Sequence, residues 1–206
     1  MNLDTAHFRA WIEQVGPIVG HLAIWMIIFA ESGLLIGFFL PGDSLLFTAG
    51  FLASAHVLNL PILVLGCFVC AVLGDSVGYF TGNRFGRRLF QKEDSWLFHK
   101  KHLVTAQSFY EKHGGKAIVL ARFVPIVRTF APIVAGIGAM RYRTFLSFNV
   151  IGGLIWTFGV TLLGYSLGAL IPDVDKYLLP IILVIIVVSL LPSIFHLYQE
   201  HKANRP

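Results

Sequence analysis

Apolar residues run along this chain in long blocks separated by short polar punctuation, without the strict alternation of half-buried strands. Six stretches compete for the role of membrane span: 17–40, 44–58, 60–82, 117–140, 144–171 and 178–198. A crossing needs about 20 predominantly apolar residues. Residues 60–82, 144–171 and 178–198 are long and nearly free of Lys and Arg, and are expected to cross, although the first contains Asp75. By contrast 17–58 is interrupted by Pro41, Gly42 and Asp43, and 117–140 by Arg122, Pro125, Arg128 and Pro132. Both are expected to form broken, re-entrant hairpins, since irregular backbone at membrane depth must line protein or a wet cavity. Residues 1–16 read as an amphipathic helix on the membrane surface, with Phe8, Trp11, Ile12 and Val15 on one face. The pattern therefore predicts an all-α polytopic membrane protein with one membrane domain.

Composition agrees. Of 206 residues 56% are hydrophobic and 13% charged, with mean hydropathy +0.73. A water-soluble domain has about a quarter of its residues charged. The net charge of +5 is localised: residues 83–116 hold eight basic and three acidic residues, and the remainder of the chain balances. One basic connector explains the pI of 9.4, and a nucleic-acid partner is not expected. Phe85, Leu89, Phe90, Trp96, Leu97 and Phe98 interleave with these charges, which predicts an amphipathic element on an anionic leaflet. Cys67 and Cys70 lie in an apolar run and read as small, reduced helix residues, since a redox pair needs a polar helix start. Residues 1–16 lack the basic leader and short apolar core of a signal peptide.

Basic loops orient the spans. The connector 83–116, Arg141 with Arg143, and the tail with Lys202 and Arg205 are expected in the cytoplasm, and the acidic turn at Asp173 and Asp175 outside. Residues 117–140 then enter and leave on the cytoplasmic side, and His56 and Asn59 lie outside, with the N-terminus outside as well.

The halves resemble each other. A shift of 86 residues aligns Ala49 with Ala135, Gly50 with Gly136, Ala53 with Ala139, Gly66 with Gly152, Gly78 with Gly164, Tyr79 with Tyr165, and Gly82 with Gly168. A hairpin plus one span reverses the entry side of the next unit, so two such units form an inverted repeat. The units expected are 1–16, an amphipathic helix; 17–82, the first repeat; 83–116, the connector; 117–171, the second repeat; and 178–198, a C-terminal transmembrane helix.

The chemistry sits in the hairpins. Glu31 is flanked by apolar residues for most of a membrane thickness, and Asp43 follows the Pro-Gly break. A buried carboxylate there must be paired, protonated or wetted. The second hairpin supplies Arg122 and Arg128 in ARFVPIVRTFAP, six residues apart with a proline break that frees them to converge. Stability alone seldom calls for buried ion pairs, and arginine grips phosphate bidentately while staying charged. Carboxylates in a low-dielectric pocket can exchange protons near neutrality. Two acids in one hairpin and two arginines in the other are expected to form a paired polar centre. Asp75 either joins this centre or caps a helix.

These residues carry a family resemblance. The combination of PGDSLLF, GDSVGYFTGNRFG and FYEKHGGKAIVLARFVPIVRTFAPIVAGIGAM, over roughly residues 25–170, resembles the bacterial DedA family, which shares a domain with eukaryotic scramblases of autophagy. The resemblance implies an inner-membrane protein with two opposed re-entrant hairpins that moves lipids between leaflets. Undecaprenyl phosphate is the expected cargo, with phosphatidylethanolamine as the alternative, and a link to the proton motive force is implied. The family's functional acids map onto Glu31 and Asp43, and its functional arginines onto Arg122 and Arg128. The expectation is then a lipid-phosphate translocase in which Arg122 and Arg128 hold the headgroup, Glu31 and Asp43 take up protons or counter the arginines, and the lipid tails stay in the bilayer. Nothing is carried over to Gly78, where family members often differ.

Other classes compete. An intramembrane phosphatase needs a nucleophile with a base or a bound metal, and no His lies in either hairpin core, so no enzyme is expected. A proton-coupled ion exchanger would use the carboxylates alone. A membrane chaperone would tolerate charge-conserving swaps. His99, His102 and His113 show no metal-ligand spacing, and neither metal nor organic cofactor is expected; Tyr79 and Tyr165 read as interfacial anchors. Membrane lipids and protons are the expected partners, with homo-oligomerisation left open.

Overall fold

The structure is a computed structural model, described for residues 3–34, 40, 42–91, 104, 108 and 111–170. The regular elements are α1 (Leu3–Gly33), α2 (Gly42–Ser54), α3 (Leu60–Gln91), α4 (Lys116–Ala121), α5 (Pro125–Ile137) and α6 (Tyr142–Ala169). Three helices are long and apolar enough to cross a membrane, over Gly16–Gly33, Leu60–Gly86 and Tyr142–Ala169. The last two coincide with expected spans. The first, expected to be one arm of a re-entrant hairpin, is also long and apolar enough to cross. The expected C-terminal span 178–198 and most of the connector lie outside the described residues.

Element boundaries differ from the sequence reading in two places. The helix does not break at 16/17: Pro17 sits inside α1, where it removes one ladder hydrogen bond without ending the helix. The side chains of the expected amphipathic face lie outside the described residues. At the other end, α3 continues past 82 to Gln91, into the expected connector.

Both expected interruptions are present. Residues 34–41 separate α1 from α2, and the chain turns at Arg122–Val124 between α4 and α5. Val124 is extended (φ −121°, ψ 106°), as a residue before proline prefers, and Pro125 opens α5 where its missing N–H costs nothing. With 13 residues each, α2 and α5 reach about 20 Å, short of the ~30 Å hydrocarbon core.

Packing is crossed. Helix α2 lies on α6, α5 lies on α3, and α1 also lies on α3. The crossed contacts use glycine in matching ways. A Cβ on Gly50 would overlap the Thr161 carbonyl oxygen and crowd the Tyr165 amide, and a Cβ on Gly136 would overlap the Tyr79 carbonyl oxygen and crowd the Asn83 amide. Reciprocally, Gly164 faces the backbone of Phe47, and Gly82 that of Ile133. The partners in α2 and α5 are 86 apart, as aligned from the sequence, whereas those in α3 and α6 are 82 apart. The four-residue difference is about one helical turn, so glycine faces coincide in both registers.

Two apolar clusters result. One gathers Tyr79, Ile118, Val127, Phe130, Val134 and Phe145 around α5. The other gathers Ile28, Leu46, Leu63, Cys67, Ala71 and Trp156 around α2. Tyr79 is buried and its hydroxyl donates to the Met140 carbonyl, so it is an internal strut and not an interfacial anchor. Large apolar residues such as Met26, Leu65 and Leu163 point outward, as a lipid-facing surface requires.

Candidate functional site

The four charged residues singled out in the hairpins converge with Asp75. Glu31 stands in the last turn of α1 and Asp43 in the first turn of α2, where the helix dipole favours an anion. Arg122 caps the C-terminus of α4, and Arg128 follows in the first turn of α5. The turn at Arg122–Val124 brings both guanidiniums onto one indole: their central carbons lie 5.8 Å (Arg122) and 4.7 Å (Arg128) from the Trp156 ring, within cation–π range.

The pairing is unequal. Arg128 bridges the acids of α1 and α2, with Nη2 paired to Glu31 Oε1 and Nη1 donating to Asp43 Oδ1 at 2.9 Å. Trp156 Nε1 donates to the same Asp43 oxygen at 2.6 Å. Arg122 instead pairs with Asp75 Oδ2 at 2.5 Å and donates to Asn149 Oδ1 at 2.5 Å. Asp75 lies in the middle of α3, so it joins the centre and caps no helix. Asn149 Nδ2 donates to the Val72 carbonyl at 3.0 Å, which fixes the amide with its oxygen toward Arg122. The expected balance of two acids against two arginines thus becomes three carboxylates against two guanidiniums.

Burial divides the centre further. The side chains of Arg122, Asp75, Glu31 and Arg128 are at most 9% exposed, whereas that of Asp43 is 54% exposed. Asp43 is therefore the point at which the centre meets its surroundings. Glu31 Oε2 and Arg122 Nε are buried and have no hydrogen-bond partner among the described residues. Glycine makes the room: a Cβ on Gly42 would overlap the Glu31 carboxylate, and Cβ atoms on Gly152 and Gly153 would stand 3.1 Å from Arg122 Cδ and 3.5 Å from its Nη2.

Trp156 and Asn149 were not singled out from the sequence. Their signal was present: Asn149, Gly152, Gly153 and Trp156 occupy the i, i+3, i+4 and i+7 positions of one helical face. A lone amide in an apolar span implies a polar partner. Among the described residues no group of three or more His, Cys, Asp or Glu could hold a metal ion.

A bundle of membrane-length helices enclosing a five-residue charged centre defines a multi-pass membrane protein with a buried polar site. Residues 40–166 match the VTT domain model. The chain is 48% identical over 205 residues to Protein DedA of Escherichia coli strain K12, covering 98% of this chain and 92% of that protein. It is 47% identical over 184 residues to the uncharacterized membrane protein Rv0364 of Mycobacterium tuberculosis strain H37Rv (88% and 80% covered), and 34% identical over 196 residues to the inner membrane protein YqjA of E. coli K12 (90% and 87%). No solved structure matches the chain. This chain belongs to the DedA family of VTT-domain membrane proteins.

Proposed function

We propose that this protein carries a phosphate-headgroup lipid between the leaflets of the bacterial inner membrane, the location that the name of its relative YqjA states. The carrying observation is the state of Arg128: a buried guanidinium held by two carboxylates, one of them, Asp43, half exposed. A lipid phosphate entering beside Asp43 replaces a carboxylate on a fork whose geometry suits it. Arg122 is the second anchor, reached when the headgroup passes Trp156. The displaced Glu31 and Asp43 then need protons, because unpaired carboxylates at depth are costly. That exchange couples headgroup entry to proton uptake.

The crossed glycine contacts support two inverted halves, and the short α2 and α5 support re-entrant hairpins whose broken ends meet at the centre. Undecaprenyl phosphate suits the site, since a bare phosphate gives both arginines free oxygens; phosphatidylethanolamine is the alternative cargo. No step calls for covalent chemistry, so the reading is a carrier and not an enzyme. The test is a flipping assay in vesicles of defined lipid, comparing the two lipids with and without a pH gradient. Undecaprenyl phosphate moving as fast through Arg128→Ala as through wild type would sink the reading.

The excess carboxylate favours a second reading, a proton-coupled ion exchanger. Ion flux in vesicles without a transported lipid distinguishes it.

A further inference from the structure

Away from the charged centre, a cleft opens beside the contact of α1 with α3. At Gly33 and Gly74 their backbones touch, so that a Cβ on Gly33 would stand 2.8 Å from the Gly74 carbonyl oxygen. Toward the Gly16 end the Trp25 indole packs into the space a side chain at Gly66 would need. The cleft measures about 490 Å³ and is lined by residues of Pro17–Trp25 in α1, the turn at 56–59, and Ile62 of α3.

The lining is graded. Ile18, Leu22 and Ile62 are 60%, 51% and 51% exposed, and Trp25 forms the floor. Polar groups gather at the mouth. His21 is buried there and bridges α1 to the turn, with Nδ1 2.5 Å from the Pro17 carbonyl oxygen and Nε2 3.2 Å from that of Asn59. His56 and Asn59 are exposed beside it, and Asn59 uses Oδ1 to accept the Ile62 amide, which leaves its Nδ2 as a donor.

We propose that this cleft binds one membrane lipid, with a hydrocarbon chain against Leu22, Trp25 and Ile62 and a phosphate-bearing headgroup at His56 and Asn59. Two observations choose a lipid over a water-soluble ligand. The cleft lies between two helices of membrane-crossing length, so its exposed apolar walls face hydrocarbon. Its exposed donors, on His56 and Asn59, sit at the helix ends, where the bilayer turns polar, while the unpartnered Trp25 Nε1 is buried in the wall. The site is separate from the charged centre: Glu31 is ten residues beyond His21, about 15 Å along the helix. It does not depend on the transport reading.

The test uses full-length protein in phosphatidylglycerol vesicles in which a small fraction of the lipid carries a photoactivatable diazirine on its acyl chain. Adducts mapped by peptide mass spectrometry are expected within residues 17–25 and 56–62, enriched over the exposed face of α6 around Leu163. Leu22→Trp, which fills the cleft from an exposed position, is expected to lose them, and Leu163→Trp to keep them. Adducts spread evenly over all exposed apolar surface, or undiminished in Leu22→Trp, overturn the proposal. Undecaprenyl phosphate flipping by the same protein preparation separates the two readings, since adducts without that flipping sink only transport, and flipping without adducts sinks only the cleft.

Discussion

Arg128 and Trp156 share an acid: the Arg128 guanidinium lies over the indole at 4.7 Å while Arg128 Nη1 and Trp156 Nε1 both donate to Asp43 Oδ1. The ring thus holds the carboxylate that holds the arginine. Trp156 is 1% exposed, so its face and its N–H are both fully committed. Trp156→Phe keeps an aromatic face but loses the hydrogen bond and part of the ring volume, and is expected to cost about 1–3 kcal/mol. Trp156→Ala also opens a cavity and is expected to cost about 3–5 kcal/mol. Thermal unfolding in detergent measures both; a Trp156→Phe variant as stable as wild type would contradict a role for the N–H, and equal losses would contradict one for the ring.

Removing Arg128 leaves Glu31 buried without its partner. Arg128→Met is expected to destabilise by about 3–5 kcal/mol. Adding Glu31→Gln should recover part of that loss, because a neutral amide tolerates the site better than an unpaired carboxylate. A double-mutant cycle reads the coupling, and strict additivity would mean that the pair is not energetically linked.

Asn149 orients Arg122 without carrying charge. Asn149→Leu keeps volume but strips the Val72 carbonyl and Arg122 of their partner, for an expected loss of about 1–3 kcal/mol. Its effect should be non-additive with Asp75→Asn, since both hold the same Arg122 Nη2. Stability of the two single variants and the double checks this.

Gly50 and Gly136 make matching backbone contacts. Gly50→Ala and Gly136→Ala are each expected to force α2 from α6, or α5 from α3, at a cost of about 1–3 kcal/mol. Gly159→Ala, whose added carbon would meet nothing within 4 Å, is the control and should be neutral or slightly stabilising. Melting temperatures of the three variants suffice.

The hydrophobic blocks were legible because the bilayer demands long apolar runs, and Gly-Pro-rich breaks in such runs have few alternatives. The arginines and acids were legible for the same reason: a charge amid leucines has no reason to be there unless it meets another. Their partners were not legible. Nothing in local spacing links Arg122 to Asp75, 47 positions away, or Arg128 to Glu31 instead of to Asp75. The continuation of α3 past 82 escaped because its polar residues mark where apolar character stops, and a helix need not stop with it.

The sequence by itself determined the membrane class, the two broken segments and the identity of the charges, since each follows from the cost of exposing polar groups to hydrocarbon. Only the tertiary structure decided which acid answers which arginine, that Trp156 stands between them, and that α2 packs on α6 while α5 packs on α3. Those outcomes depend on how glycine faces let backbones approach, and that is a property of helix pairs, which no single segment contains.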